Sequence, residues 1–292
     1  VRLTLDYQGA YDWPAMLDFL AARAIDGLEV VRSGSYARSF CLHGLQGTFV
    51  ISQAPGHGLA VELAYADSAA LPQIVARLRR MFDLDADLPA IHRHLATDPL
   101  LAPLIARSPG LRVPGTWDGL ELAMRAVLGQ QISVAAAIRL AGKLVAQYGA
   151  PLVGSEPWLP GLRQVFPEAQ VLASADLATL GMPRSRGRTL SGVAQALLEN
   201  PGLFEAREHL PASVAPLLAL WGVGDWTAQY IALRQMREAD AFPPGDVGLL
   251  KALAALEGQP VSAQHLLARA ESWRPYRGYA AQVLWTSLSR GD

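Results

Sequence analysis

The sequence predicts an α+β domain at the N-terminus followed by a larger, all-helical body. Three observations lead there. Residues up to about 88 mix two-residue hydrophobic alternation with helical periodicity. After Asp87 the periodicity is helical throughout. Pro- and Gly-bearing breaks cut this second part into many short helices. The expected partition is 1–88 for the α+β domain. A helical domain made of 89–118 and 239–292 and a second one, 119–238, follow.

Within the first domain Val1–Tyr7 alternates as a strand, and Trp13–Ala24 reads as a helix with Leu17, Leu20 and Ala21 on one face. Leu28–Arg32, Ala37–Leu42, Gly47–Gln53 and Leu59–Ala66 read as strands. Pro55-Gly56-His57-Gly58 joins the last two as a hairpin. Leu71–Phe82 is a second helix. In the body, Pro89–Ala96 and Pro99–Ala106 are short helices. Asp118 is placed to N-cap Gly119–Gly129, and an Ala-rich helix covers Ser133–Tyr148. A loop is expected over 149–169. Helices then follow near 174–180, 184–199, 211–220, 225–237, 246–256 and 261–270, with a last one from Arg277 carrying Tyr279, Val283 and Trp285.

Composition narrows the function classes. Of 292 residues 51% are apolar and 17% charged, as in an ordinary folded protein, and no uninterrupted apolar run would cross a bilayer. Cys41 is the single cysteine, which excludes an intramolecular disulfide and any multi-cysteine zinc or iron–sulfur site. No leader pattern is read at the N-terminus, Val1 in place of Met leaves a longer chain open, and a cytoplasmic monomer is expected. A net charge of -1 argues against a basic coat for nucleic acid, so any DNA contact has to come from local geometry.

Such a geometry is written in Leu217–Leu233, where two apolar helical segments flank Gly222-Val223-Gly224. Glycines leave the backbone uncovered, Val223 can plug the interhelical core, and free N–H groups at the next helix start suit a phosphodiester. Such a grip, with hairpin 220–226 at its centre, would use Gly222, Val223, Gly224 and Thr227. Taken alone, the turn reads as a plain αα-hairpin. Downstream, Pro243-Pro244-Gly245-Asp246 delivers a carboxylate at a helix start. Alone, Asp246 reads as an N-cap. An aspartate can do both, one oxygen capping and the other facing a cleft.

Together these two segments resemble the signature of the helix-hairpin-helix DNA glycosylases: hairpin, Gly/Pro-rich loop, aspartate. The resemblance extends toward the bacterial DNA-3-methyladenine glycosylase II type. It is carried by Tyr11-Asp12-Trp13, Met81-Phe82-Asp83-Leu84, Pro109–Gly115 and Arg125–Ser133, which together span most of the chain. It implies a TATA-binding-protein-like N-terminal domain, a helix-hairpin-helix glycosylase body and double-stranded DNA with a damaged base as partner.

The chemistry the resemblance implies is base flipping followed by N-glycosidic cleavage. Asp246 would stabilise the positive charge developing on the sugar and orient water, and a helix N-terminus beside it favours its negative charge. Gln131 stands where relatives carry an apolar wedge, and could hydrogen-bond the orphaned base instead. Trp226, Tyr230 and Trp285 match the family's aromatic pocket positions, and aromatic faces attract the cationic purines that alkylation creates. Trp226 occupies the place of the hairpin lysine that many relatives use as a nucleophile. Lys143 and Lys251 are the only lysines, and Lys251 is spaced to face away from Asp246. A monofunctional enzyme is therefore expected, excising 3-methyladenine, 7-methylguanine and similar bases and leaving an abasic site. Val247 departs from an aromatic residue in relatives, which implies a roomier pocket. No metal and no organic cofactor are expected, although the resemblance admits a monovalent cation at the hairpin carbonyls. His92 and His94 read as surface residues. Arg184, Arg186 and Arg188 read either as phosphate contacts or as a solvated helix start. Two other readings stay open: a non-enzymatic hairpin module for DNA binding, with Asp246 a sealed cap, and a glycosylase for another lesion class.

Overall fold

The computed structural model describes residues 1–154 and 159–290; residues 155–158, part of the loop expected over 149–169, and 291–292 lie outside them. The first part contains β1 (Arg2–Asp6), α1 (Trp13–Ala21), β2 (Glu29–Arg32), β3 (Ser35–Leu42), β4 (Leu45–Gln53), β5 (Gly58–Ala64) and α2 (Leu71–Met81). The strands form one sheet in the order β1-β5-β4-β3-β2, with every neighbouring pair antiparallel. Two-residue alternation sends Phe49, Ile51, Leu59, Val61 and Leu63 to a core shared with Met16 and Leu20 of α1 and Ile74 and Leu78 of α2. Asp12 caps α1 by accepting from Ala15 N at 3.0 Å, and Pro14 sits in the first turn, where a missing N–H costs nothing. The helix stops at Ala21, three residues short of the expected end. The chain tightens there so that Ile25 and Leu28 enter the core of the second part.

That second part is α3 (Leu88–Leu95), α4 (Ala102–Arg107), α5 (Gly119–Leu128), α6 (Val134–Tyr148), α7 (Ala169–Ser174), α8 (Arg184–Glu199), α9 (Leu210–Leu218), α10 (Asp225–Ile231), α11 (Val247–Glu257), α12 (Ala263–Ala270) and α13 (Arg277–Arg290). Nearly all of α5 is buried, with Asp118 accepting from Leu120 N and Glu121 N at its start. Ser133 caps α6, and Ser262 caps α12.

Three expected helices shift. The one placed at 99–106 begins at Ala102, because Asp98 first forms a turn to Leu100 N and is held there by Trp273 Nε1. The one near 174–180 is replaced by α7, which begins earlier at Ala169 and ends at Ser174, and by a 3₁₀ turn. Ser174 Oγ bonds back to Gln170 and Val171 carbonyls, α7 ends, and Asp176 starts a separate 3₁₀ turn over Leu177–Leu180. The one at 225–237 is α-helical only to Ile231, then continues as a π turn over Ala232–Met236 that Arg237 terminates in the left-handed region.

A buried ionic network joins the two parts. Arg38 of β3 meets Glu121 of α5 at 2.6 Å, and Arg125 meets Glu121 at 2.7 Å and Glu29 of β2 at 2.5 Å. Tyr36 Oη and Ile25 N donate to the same Glu29. Two carboxylates and two guanidiniums cancel in charge, which is what makes their burial tolerable. Elsewhere along the junction Asp83 accepts from Arg237, from Tyr279 Oη at 3.0 Å and from Val113 N at 3.0 Å. Among the described residues no helix is long and apolar enough to cross a membrane.

Candidate active site

The hairpin lies between α9 and α10. Gly222 has φ of 79°, Val223 is buried as the plug, and Gly222 and Gly224 are exposed. Gly222 also admits a close neighbour, since a Cβ there would lie 2.1 Å from Thr189 Oγ1 of α8. Thr227, expected in the grip, is buried instead. Its hydroxyl accepts Gln130 Nε2 at 3.1 Å, and the same nitrogen reaches Gly222 O at 3.1 Å. Any contact of Thr227 with phosphate is therefore left to its backbone.

From the π turn the chain returns through a pinned loop. Asp240 is held by Arg274 and Arg277, and Phe242 N donates to Gln229 Oε1 at 3.1 Å. The loop ends at Asp246, which is half-buried. Oδ1 accepts from Leu249 N at 2.9 Å, the N-cap bond of α11, and from Trp285 Nε1 at 2.8 Å. Oδ2 accepts from Trp226 Nε1 at 2.7 Å. Three N–H donors thus converge on one carboxylate. It is both a cap and a wall residue of a cleft of about 1420 Å³ that also contains Trp226, Tyr230 and Trp285.

The aromatic residues form one assembly. Trp226 and Tyr230 stack at 5.1 Å with ring planes 11° apart, and Tyr230 meets Trp285 edge-on at 6.5 Å. Arg234, from the π turn, is buried against this assembly with its guanidinium 4.9 Å from the Tyr230 centroid, 5.4 Å from Trp285 and 4.6 Å from Phe19. It donates to Pro114 O and Gln282 Oε1, and its Nε has no partner. Burial brings its pKa down to about 10. Burial alone would raise Tyr230, but Arg234, Arg23 and Arg125 outweigh it and hold the phenol below its ordinary value.

Gln131 sits at the turn between α5 and α6, exposed, lining the cleft and with φ of 61°. A non-glycine residue held there is strained, and such strain clusters at functional sites. The turn is tied from two sides, by Gln130 to the hairpin and by Arg186 to Gln130 O at 2.6 Å. Val247 is exposed beside Asp246. Lys251, expected to face elsewhere, stands on the wall of the same cleft, because the cleft is wide enough to take in a second face of α11. Lys143 donates to Leu180 O at 3.4 Å, away from the cleft. His92 and His94 are half-buried, the latter edge-on to Tyr276. Among the described residues no group of three or more His, Cys, Asp or Glu is placed to hold a metal ion.

Sequence reasoning missed part of the wall. Phe19 and Arg23 of the N-terminal domain line the cleft, with Arg23 3.9 Å over the Phe19 ring, and Arg125 Nη1 holds the Arg23 carbonyl at 2.7 Å. A signal existed: Phe19 falls off the Trp13–Met16–Leu20 stripe of α1 and is paired with an arginine at i+4. Arg234 had no such signal, since a π turn is not legible from periodicity.

Known proteins show the same construction. The model of the AlkA N-terminal domain matches residues 2–118, and that of the HhH-GPD superfamily base excision DNA repair proteins matches residues 124–277. The chain is 38% identical to a probable bifunctional transcriptional activator/DNA repair enzyme AlkA of Mycobacterium tuberculosis over 99% of its own length, but spans only 57% of that relative. It is 34% identical to DNA-3-methyladenine glycosylase 2 of Escherichia coli over 97% of this chain and 96% of that one. In three dimensions it is similar to a 3-methyladenine DNA glycosylase from Archaeoglobus fulgidus, with a TM-score of 0.85 at 22% identity over 98% and 97% of the two chains. The chain therefore belongs to the HhH-GPD superfamily of base excision DNA repair proteins and carries that superfamily's AlkA-type N-terminal domain.

Proposed function

We propose that this chain is a monofunctional DNA N-glycosylase that removes alkylated purines from duplex DNA and leaves an abasic site. One observation carries the proposal: the Asp246 carboxylate, fixed by two indole N–H groups and a helix N-terminus, opens onto an aromatic cleft beside the glycine hairpin. The names of its relatives, which act on 3-methyladenine, support the lesion class.

In this reading the hairpin N–H groups hold a phosphate next to the lesion and Gln131 enters the duplex where the nucleotide leaves. The base comes to rest against Trp226 and Trp285. The N-glycosidic bond breaks with its electron pair going to the purine, so a cationic alkylated base departs neutral. Asp246 stabilises the oxocarbenium sugar and orients a water, whose oxygen bonds C1′ and which then loses a proton. A monovalent cation at the hairpin belongs to the same reading. Gly222 O accepts Gln130 and keeps a second lone pair for it.

The test incubates the protein with duplexes carrying 7-methylguanine, 8-oxoguanine or no lesion, and follows released base. Release from the methylated duplex, lost in Asp246→Asn, is expected. Borohydride trapping addresses Lys251: a covalent adduct that Lys251→Gln abolishes would replace the monofunctional reading with a strand-nicking one. Binding without release from any duplex would leave a DNA-binding module.

A further inference from the structure

Trp221 stands at the tip of the hairpin and is 52% exposed. Val223 fills the core there, so the ring is not needed as a plug, and a half-exposed indole at a turn forgoes much of its hydrophobic gain. It is instead a platform. The Arg188 guanidinium lies 4.6 Å above its centroid. Arg188 is itself exposed on α8, and among the described residues no carboxylate pairs with it. Its position relative to the hairpin is fixed by its neighbours. Thr189 packs directly on Gly222, and Arg186 bonds Gln130 O in the adjoining turn.

We infer that the Arg188–Trp221 pair is a second phosphate contact, engaging a phosphodiester beyond the one held by the turn's N–H groups. A free arginine loses rotamer entropy when it binds phosphate. One already laid on an indole face keeps its planar fork oriented and its N–H edge toward solvent. With a net charge of -1 the chain has no diffuse positive field to draw in DNA, so a single oriented cation at the hairpin rim carries weight. It also gives the basic segment Arg184–Arg188 a definite division of work: Arg186 is structural and Arg188 faces the partner. The contact reads backbone, so it adds affinity and salt dependence without choosing the lesion. The inference rests on the proposal that the hairpin holds duplex DNA.

The experiment measures binding of the full chain to a fluorescent duplex bearing a tetrahydrofuran abasic analogue, and to its undamaged counterpart, across a salt series. Arg188→Gln should weaken both to the same degree and reduce the slope of log K against log salt by about 0.9, the loss of one phosphate contact. Trp221→Ala should weaken binding about two- to fivefold, the scale of an exposed cation–π contact, and should add little once Arg188 is gone. Trp221→Leu, which keeps an apolar residue at the tip, serves if the alanine variant melts early. An unchanged slope in Arg188→Gln, or a Trp221 effect fully additive with it, overturns the inference. Base release by the wild type in that case leaves the glycosylase reading standing. A reduced slope in a protein that releases no base leaves the contact standing and removes the enzyme.

Discussion

Replacing Asp246 by asparagine separates the two jobs assigned to this residue. As a cap, asparagine is as good as aspartate, so the bond from Leu249 N survives. One indole does not fare as well. With the amide oxygen kept toward Leu249 N and Trp285, the amide nitrogen faces Trp226 Nε1, donor against donor. A hydrogen bond to a charged group is worth about 1.5–3 kcal/mol, and the open cleft lets water replace part of it, so a loss of about 1–2 kcal/mol follows. For a chain of this size that is roughly 2–8 °C in Tm, too little to unfold the protein at assay temperature. The chemistry loses more. A unit charge about 4 Å from the oxocarbenium centre, at an effective dielectric near 20, contributes about 4 kcal/mol, or about three orders of magnitude in rate. The assay is single-turnover release of 7-methylguanine with enzyme in excess, alongside a melting curve. A folded Asp246→Asn variant that releases base within about tenfold of wild type would refute the assignment.

Three other perturbations address the scaffold. Gly222→Ala places a Cβ at positive φ and 2.1 Å from Thr189 Oγ1. It should cost about 2–4 kcal/mol and weaken binding to an abasic duplex, read by melting and anisotropy together; an unchanged Tm would show that α8 yields there. At Glu121, burial pushes the carboxyl up, but Arg38 and Arg125 prevail and hold it well below its ordinary 4.5. A carboxylate lowered in the folded state stabilises the protein above that ordinary value and loses its contribution as pH falls below it. Wild-type Tm should therefore drop as pH falls from about 5 to about 2. Glu121→Gln should melt lower at neutral pH and show less of that acid dependence, and parallel pH curves would contradict the network. Arg234→Met removes a positive charge from the cleft at similar side-chain length. For a base on the far side of the aromatic assembly, a charge about 8 Å away at an effective dielectric near 20 is worth up to about 2 kcal/mol. Release of cationic 7-methylguanine should rise several-fold relative to a neutral lesion, and an unchanged ratio would show that Arg234 is screened.

The sequence made the architecture readable because periodicity and caps agree. Asp12, Asp118, Ser133 and Asp246 each cap the helix they precede, and β5 alternates between buried and half-buried residues along most of its length. Where expectation and structure part, side chains compete with the backbone. Asp98 spends three residues on a turn before α4 begins, and Ser174 bonds back and ends α7. The same holds at the site. Asp246, Trp226, Tyr230 and Trp285 stand in one cleft, as a hairpin, a Pro/Gly-rich loop and a family resemblance together implied. The inward turn of Thr227 and the cleft position of Lys251 were not legible, because both depend on how far apart α5, α10 and α11 are held.

The N-terminal domain acquires a role from these contacts. Glu29 and Arg38 of its sheet, and Phe19 and Arg23 at the end of α1, all line the cleft that contains Asp246. That end is set by the Arg23 carbonyl on Arg125, and Arg125 is set in turn by Glu29 of β2 and Glu121 of α5. A neutral quartet of buried charges is costly as a source of stability but strict in geometry, since Glu121 and Arg125 at its centre each pair with two partners. Registering the sheet on α5 therefore also registers one wall of the pocket on the other. The faces of Phe19, Tyr230 and Trp285 already share one cation, Arg234. In the proposed reading, attraction between those faces and a positively charged purine is correspondingly reduced, and more of it falls to the negative charge of Asp246.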